Sequence, residues 1–147
     1  MYRLLLVCTG NTCRSVMLES FIKHQLKQLG KKAEVRSVGL RVVEGEGVHE
    51  DARRALKKKG LTTRHKPKQI EAKDLERADT IITMTQEQKE YLRNDKCFYK
   101  VYSLAEVVGF NVSDPYCLGQ DVYDQCANML SLASFRIVEN LDKAGKI

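Results

Sequence analysis

Short apolar segments and longer segments of helical periodicity alternate along the chain. Four segments are short and either apolar or rich in β-branched residues, which predicts strands; they span residues 2–7, 33–38, 79–84 and 98–104. Between and after them, apolar residues recur every three or four positions, as they do on the buried face of an amphipathic helix. This pattern predicts helices over residues 14–29, 49–59 and 86–93, and a long C-terminal helix from residue 120 onward.

The order of these elements favours an α/β fold. Strands that alternate with helices pair in parallel, and the connecting helices cover both faces of the sheet. We therefore expect one domain over residues 1–147, built on a four-stranded parallel sheet with helices on both faces. Ligands of such sheets bind beyond the carboxyl ends of the strands. The first predicted strand ends at Val7, so the residues that follow it lie where a site is expected.

The composition narrows the choice of partner and compartment. The formal net charge is +6, which indicates either an ordinary basic surface or attraction to anionic partners. Nucleic acid is not the expected partner, because the chain has no recognisable binding motif and no aromatic residue among its basic runs. The first apolar run covers only residues 4–8, too short for a signal peptide, and no run approaches the ~18 residues of a membrane-spanning helix. We therefore expect a cytoplasmic protein that does not enter a membrane.

The cysteines point to reduced thiols rather than to disulfides or a metal. There are five of them, at Cys8, Cys13, Cys97, Cys117 and Cys126. An odd number cannot pair completely within one chain, and without an export signal reduced thiols are the default. Their spacing, with three scattered histidines, is unlike that of a zinc site. We expect no metal and no other cofactor.

The turn after the first strand, VCTGNTCRSV (7–16), has groups suited to binding and attacking phosphate. Backbone N–H groups ahead of a helix can form a positively polarised nest, which binds an anion and lowers the pKa of a nearby thiol from its usual value near 8.5. We expect Cys8 to be the nucleophile. We expect Arg14 to bind phosphate oxygens, because its planar fork of donors matches two of them. The alternative interpretation of this segment is an ordinary turn around a buried cysteine that has no catalytic role.

Three further residues of this turn have expected roles. Gly10 is expected to allow backbone geometry that a side chain would block. Asn11 is expected to hold the loop in shape through its amide. Ser15 is expected either to donate a hydrogen bond to the thiolate or to cap the following helix.

CTGNTCRS (8–15) resembles the active-site loop of the low-molecular-weight protein-tyrosine-phosphatase family. VRSVG (35–39) looks like that family's second strand, ADTIITMT (78–85) looks like its third, and DPY (114–116) matches its acid loop. The similarity in order and spacing covers nearly the whole chain. It implies a flavodoxin-like fold of the phosphotyrosine phosphatase I type, with phosphorylated proteins as substrates.

The resemblance also implies a mechanism. Cys8 attacks phosphorus and forms a phosphocysteine, while Asp114 protonates the leaving group and then activates the hydrolytic water. Arg14 and the loop amides stabilise the phosphoryl oxygens. The remaining implied substrate-binding residues are Thr9, Gly10, Asn11, Thr12, Cys13, Ser15 and Tyr116. Tyr116 is either an apolar wall at the entrance of the site or a solvent-facing aromatic residue of a turn.

Three more positions match the family, each with an alternative. Cys13 matches a cysteine that pairs with the nucleophile on oxidation, or it is a small residue packed under the loop. His65 lies near a histidine that supports the loop, or it is an ordinary surface residue. Ser37 is expected to bond Asn11, or to satisfy the backbone at a strand end.

The chain departs from the tyrosine-specific pattern at the active-site loop. Thr12 stands where those members have a bulky aliphatic residue, and it resembles the bacterial protein-arginine-phosphatase branch. The segment 39–51 also lacks an aromatic residue. Both departures favour phosphoarginine over phosphotyrosine. Val16 replaces an expected proline, which weakens helix initiation and removes no catalytic group.

Two other functions fit these residues less well than a phosphatase does. A thioredoxin-coupled arsenate reductase of similar fold needs two further cysteines soon after the third strand, where only Cys97 is present. A phosphate- or nucleic-acid-binding module without catalysis needs neither the nucleophile Cys8 nor the acid Asp114, so their joint presence favours an enzyme.

Overall fold

The structure is a computed structural model that describes residues 1–147. Its strands are β1 (Arg3–Cys8), β2 (Glu34–Gly39), β3 (Thr80–Thr83) and β4 (Val101–Ser103). Its α-helices are α1 (Arg14–Leu29), α2 (Glu50–Lys58), α3 (Ala72–Arg77), α4 (Gln86–Tyr91), α5 (Leu104–Val108) and α6 (Gln120–Lys143). The strands form one parallel sheet in the order β2-β1-β3-β4. The predicted α/β fold with a four-stranded parallel sheet is confirmed.

The central strand β1 is buried on both faces, which explains its continuous apolar sequence. Leu4, Leu6 and Cys8 belong to the larger hydrophobic cluster, which also includes residues of α1, α2, α5 and α6. Leu5 and Val7 point the other way, into a smaller cluster that includes Leu75 of α3 and Leu92, which directly follows α4. Helices therefore cover both faces, and the alternation of side chains along β1 directs the Cys8 thiol toward the α1 face.

The long helices α1 and α6 provide half of the buried residues of the larger cluster. Leu18 and Ile22 of α1 and Leu130 of α6 are fully buried. Truncating such a side chain to alanine costs about 2–5 kcal/mol, because a cavity is left behind. No helix in the structure combines the length and the apolar composition needed to span a membrane.

The predicted strand over 98–104 is wrong at both ends. Residues Phe98–Lys100 form a 3₁₀ turn, and Leu104 already begins α5. The reason is a capping box: the Ser103 hydroxyl accepts from the Glu106 N–H at 3.3 Å, and the Glu106 carboxylate accepts from the Ser103 N–H at 3.4 Å. These contacts satisfy free donors at a helix start. They end the strand one residue after Tyr102.

Two short helices, α3 and α5, are absent from the predicted elements. A capping box at Glu71 and Asp74 begins α3. Neither helix is long enough to show an amphipathic stripe, so periodicity gives no signal for them. The predicted helix over 14–29 is confirmed at both ends, and Val16 lies fully buried in its first turn.

Candidate active site

The loop of residues 8–15 joins the last residue of β1 to the start of α1. Neighbouring segments bind its carbonyl groups from outside. Leu40 N–H donates to the Cys8 carbonyl at 2.8 Å, and Arg41 N–H donates to the Thr9 carbonyl at 2.9 Å. On the far side, His49 N–H donates to the Thr12 carbonyl at 2.9 Å. With the carbonyls held outward, the loop amides are left to form an anion-binding nest.

The Cys8 sulfur receives two hydrogen bonds inside the 8–15 loop. Asn11 N–H donates to Sγ at 3.0 Å, and the Ser15 hydroxyl lies 2.8 Å from it. The Ser15 oxygen itself accepts from Asn11 Nδ2 at 3.0 Å, which leaves its own proton free to donate to Cys8. Both contacts therefore favour the thiolate.

Burial nevertheless dominates the ionisation of Cys8. Desolvation raises the pKa of the Cys8 thiol above its usual value, although the Ser15 hydroxyl, the Asn11 N–H and the Arg14 guanidinium each act to lower the pKa. The lowered pKa expected from the sequence is therefore wrong for this structure. Cys8 is only 7% exposed, and the cost of removing an anion from water at such a position outweighs the neighbouring donors.

Asn11 holds the loop through every polar atom of its side chain. Its Nδ2 donates to the Ser15 and Ser37 hydroxyls at 3.0 and 2.9 Å. Its Oδ1 accepts from His65 Nε2 at 2.7 Å and from the Lys68 N–H at 3.0 Å. The contacts expected of Ser37 and His65 with the loop are confirmed.

The special backbone geometry of the loop lies at Asn11 and not at Gly10. Asn11 has φ 58°, a left-handed conformation that asparagine tolerates better than most residues. A Cβ on Gly10 would meet only the Thr12 side chain, at 3.6 Å, which is an ordinary contact. The expectation that a side chain would be blocked at Gly10 is therefore wrong.

Arg14 connects the 8–15 loop to the segment 112–118, which contains Asp114 and is called here the acid loop. Arg14 Nη1 donates to the Val112 carbonyl at 3.0 Å, and Nη2 lies 3.7 Å from Asp114 Oδ2. Arg14 is buried while Asp114 is exposed. The structure thus brings together the predicted nucleophile, phosphate ligand and acid, which are 106 residues apart between Cys8 and Asp114.

An open cleft of about 540 Å³ lies beside these groups. Among the predicted site residues, Thr9, Arg14 and Asp114 line it. Sequence reasoning missed the other lining residues, which follow the carboxyl ends of β2 and β3: Leu40, Arg41, Thr85, Glu87, Gln88 and Tyr91. Their position just after the ends of strands is the signal by which the sequence could have identified them.

Tyr116 does not line this cleft. The Tyr116 N–H donates to Asp114 Oδ1 at 3.1 Å, and this tight turn directs the ring toward His49, with ring centroids 5.9 Å apart. His49 in turn stacks on the buried ring of Tyr123, at 5.0 Å. The expected aromatic wall is instead provided by Tyr91.

Cys13 is half-buried and packs against the larger hydrophobic cluster. Its thiol is free, as are those of the other four cysteines. Burial, together with the nearby Asp114 and Cys8, raises the pKa of the Cys13 thiol. The packing fits the reading of Cys13 as a small residue under the loop, and its oxidation with Cys8 stays a prediction.

Comparison with known proteins agrees with this geometry. A family model described as low molecular weight phosphotyrosine protein phosphatase matches residues 3–146. The protein-arginine-phosphatase of Geobacillus stearothermophilus is 31% identical over 145 residues, which cover 95% of this chain and 96% of that protein.

Two solved structures are also similar. The low molecular weight protein tyrosine phosphatase from T. tengcongensis is 35% identical, with a TM-score of 0.90 over 96% of this chain and 100% of that one. The arginine phosphatase YwlE, solved as a mutant with a phosphorylated active-site serine, is 29% identical, with a TM-score of 0.91 over 96% of each chain.

The expectation of a cysteine-dependent protein phosphatase is confirmed by these relatives. The match extends from the first strand to the end of the last helix, and so includes both the 8–15 loop and the acid loop. The chain belongs to the low molecular weight phosphotyrosine protein phosphatase family.

Proposed function

We propose that this phosphatase hydrolyses phosphoarginine side chains of proteins through a phosphocysteine on Cys8. The observation that supports the chemistry is the convergence of three groups. Cys8 Sγ accepts from Asn11 N–H and Ser15, and Arg14, which carries the loop's positive charge, lies 3.7 Å from Asp114. A nucleophile, an oxyanion ligand and an acid therefore meet beside one cleft.

The reaction has two steps. In the first, Cys8 Sγ attacks phosphorus as the thiolate, an S–P bond forms, and the N–P bond breaks as Asp114 donates a proton to the leaving guanidine nitrogen. In the second, the Asp114 carboxylate takes a proton from water, the water oxygen attacks phosphorus, and the S–P bond breaks to release phosphate. Arg14 and the loop amides stabilise the phosphoryl oxygens in both steps.

Thr12 supports phosphoarginine as the substrate. A hydroxyl at this position can bond a polar phosphoguanidinium, whereas an aliphatic side chain packs against an aromatic ring. Relatives of both specificities are similar to this chain, since one is named an arginine phosphatase and another a tyrosine phosphatase. The residue at position 12 is therefore the feature on which this choice depends.

The test compares two substrates and two variants. We expect the unmodified protein to hydrolyse a phosphoarginine protein with higher kcat/KM than a phosphotyrosine peptide. Thr12→Ile should shift that ratio toward phosphotyrosine, by about tenfold or more if a hydrogen bond is lost. Cys8→Ser should abolish turnover of both substrates. An unchanged ratio in Thr12→Ile would show that Thr12 does not set the specificity.

The partners of this enzyme are phosphorylated proteins, and we propose that it works in the cytoplasm. The presence of five unpaired cysteines supports a reducing compartment.

A further inference from the structure

Two charged side chains of the active-site cleft have no partner within the protein. Arg41 and Glu87 both line the cleft, and neither forms an ion pair or a side-chain hydrogen bond. Arg41 follows β2 and Glu87 lies in α4, which follows β3. Because β2 and β3 flank β1 on opposite sides, the two charges lie on either side of the strand that ends at Cys8.

The backbone on each side of the cleft, at Arg41 and at the start of α4, is fixed relative to Cys8. On the β2 side, Leu40 and Arg41 are bonded directly to the 8–15 loop through the carbonyls of Cys8 and Thr9. On the α4 side, Gln88 Nε2 donates to the Thr9 hydroxyl at 3.2 Å.

Gln88 also fixes the start of α4. Its Oε1 accepts from the N–H groups of Met84 and Thr85 at 2.9 and 3.0 Å. Glu87, one residue earlier, is thus held by a helix start that is joined both to the end of β3 and to the active-site loop. The backbone positions of Arg41 and Glu87 are therefore fixed on opposite sides of the active-site loop.

Tyr91 adds an apolar surface beside Glu87. It lies four residues further along α4, on the same face of the helix, and the residue is 66% exposed while it lines the cleft. A carboxylate next to an exposed aromatic ring suits the side chain of lysine or arginine, which can place its stem on the ring and its charge on the carboxylate.

We propose that the cleft binds the substrate chain in one direction. A basic residue on one side of the phosphorylated residue binds Glu87 and Tyr91, and an acidic residue on the other side binds Arg41. This inference rests on the proposed function and adds a substrate class to it. Preferred substrates are protein segments in which opposite charges flank the phosphorylated residue.

The test uses two isomeric phosphopeptides of equal composition. One has two lysines before and two aspartates after the phosphorylated residue, and the other has the reverse order. Their net charges are equal, so attraction to the +6 protein does not distinguish them. The two peptides are made once with phosphoarginine and once with phosphotyrosine, which gives two pairs. For each pair, kcat/KM is measured for both charge orders.

We expect the unmodified protein to prefer one order by about threefold to tenfold, as two partly exposed ion pairs would give. The double variant Arg41→Glu with Glu87→Lys should invert the preference. Glu87→Lys alone should bring the ratio closer to one. Because each ratio is taken within one variant, a general loss of activity does not obscure it.

Two variants serve as matched controls. Glu50→Lys changes a first-turn acidic residue of α2, just as Glu87 is a first-turn residue of α4, and Lys57→Glu reverses an exposed positive charge. Neither residue lines the cleft, so both variants should keep the original preference.

Equal hydrolysis of the two orders by the unmodified protein would overturn the inference. The inference would also be overturned if the double variant kept the original preference between the two orders. It would be overturned as well if the control variants changed that preference as much as the double variant does. Hydrolysis of neither peptide pair would overturn the proposed function, and this inference with it, which keeps the two failures distinguishable.

Discussion

At the scale of single residues, the reactivity of Cys8 depends on a balance between burial and a few donors. Burial raises the pKa of the thiol, and Ser15, Asn11 and Arg14 act against it. A thiol whose pKa is raised becomes reactive only as the pH rises toward that pKa. Removing a donor must therefore move the reactive range to still higher pH.

Ser15→Ala tests this balance. It removes the hydroxyl 2.8 Å from Cys8 Sγ, so the pKa of Cys8 should rise and the thiolate fraction at a given pH below it should fall. Hydrogen bonds to charged groups contribute about 1.5–3 kcal/mol, which predicts about tenfold to hundredfold slower alkylation of Cys8 by iodoacetamide near neutral pH. The pH profile of alkylation is the measurement. Ser20→Ala is the control, because Ser20 bonds only the Val16 carbonyl; equal profiles for all three proteins would contradict the prediction.

Asp114→Ala tests the general acid. Substrates with poor leaving groups need protonation, so their kcat should fall by about 10²–10⁴-fold, whereas p-nitrophenyl phosphate should be affected much less. The measurement is kcat for a series of phosphate esters of increasing leaving-group pKa. Asp121→Ala, at an exposed position in the first turn of α6, should leave the series unchanged. Equal slowing across the series in Asp114→Ala would exclude the acid role.

At the scale of elements, capping residues determine boundaries that hydrophobic periodicity does not show. The sequence SLAE (103–106) contains a capping-box pattern, and the structure begins α5 there instead of extending the strand. By contrast, α1 and α6 are long enough for their apolar stripes to be decisive. Their predicted extents agree with the structure, because the buried face of a long helix repeats in the sequence itself.

Ser103→Ala tests the importance of this boundary. Ser103 is buried, and its hydroxyl accepts from the Glu106 N–H, so the substitution should lower the free energy of unfolding by about 1 kcal/mol. Urea denaturation provides the measurement. Ser131→Ala, within α6, is the control; it should be neutral or slightly stabilising, because alanine is the better helix former. A Ser103→Ala protein as stable as the control would show that the cap contributes nothing.

At the scale of the whole molecule, the active-site loop depends on a buried charge outside the site. Lys68 N–H donates to Asn11 Oδ1, and Lys68 Nζ lies 2.7 Å from Asp74. Asp74 also lies 3.4 Å from Arg36 of β2. Burial of Asp74 acts to raise the pKa of its carboxyl, but Lys68, the Glu71 N–H and Arg36 outweigh it and hold that pKa below its usual range.

This pKa predicts an acid-dependent loss of stability. A carboxyl whose pKa is lower in the folded than in the unfolded state stabilises the fold above the unfolded pKa, and that contribution is lost as the pH falls through the folded pKa. Asp74→Asn should therefore lower stability by about 1–3 kcal/mol at neutral pH and flatten the decline of stability below about pH 4. Denaturant unfolding across this range is the measurement. Asp142→Asn is the control: it removes an exposed ion pair with Lys31 and should leave the decline of stability at low pH unchanged. If Asp74→Asn also left this decline unchanged, the prediction would be refuted.

The sequence by itself determined the parallel α/β fold, and it placed Cys8 and Arg14, the proposed nucleophile and phosphate ligand, in one loop after the first strand. These features are encoded by residues close together in the chain: an apolar strand, a turn and an amphipathic helix follow one another between Arg3 and Leu29. Asp114 also emerged from the sequence, although only through a family motif.

Only the tertiary structure decided which way distant side chains face and how deeply Cys8 is buried. It placed Tyr91 in the cleft and turned Tyr116 toward His49. It also raised the pKa of Cys8 where the turn alone predicted the opposite. The physical reason is that desolvation and side-chain orientation depend on atoms contributed by remote segments, and no spacing within a single segment contains that information.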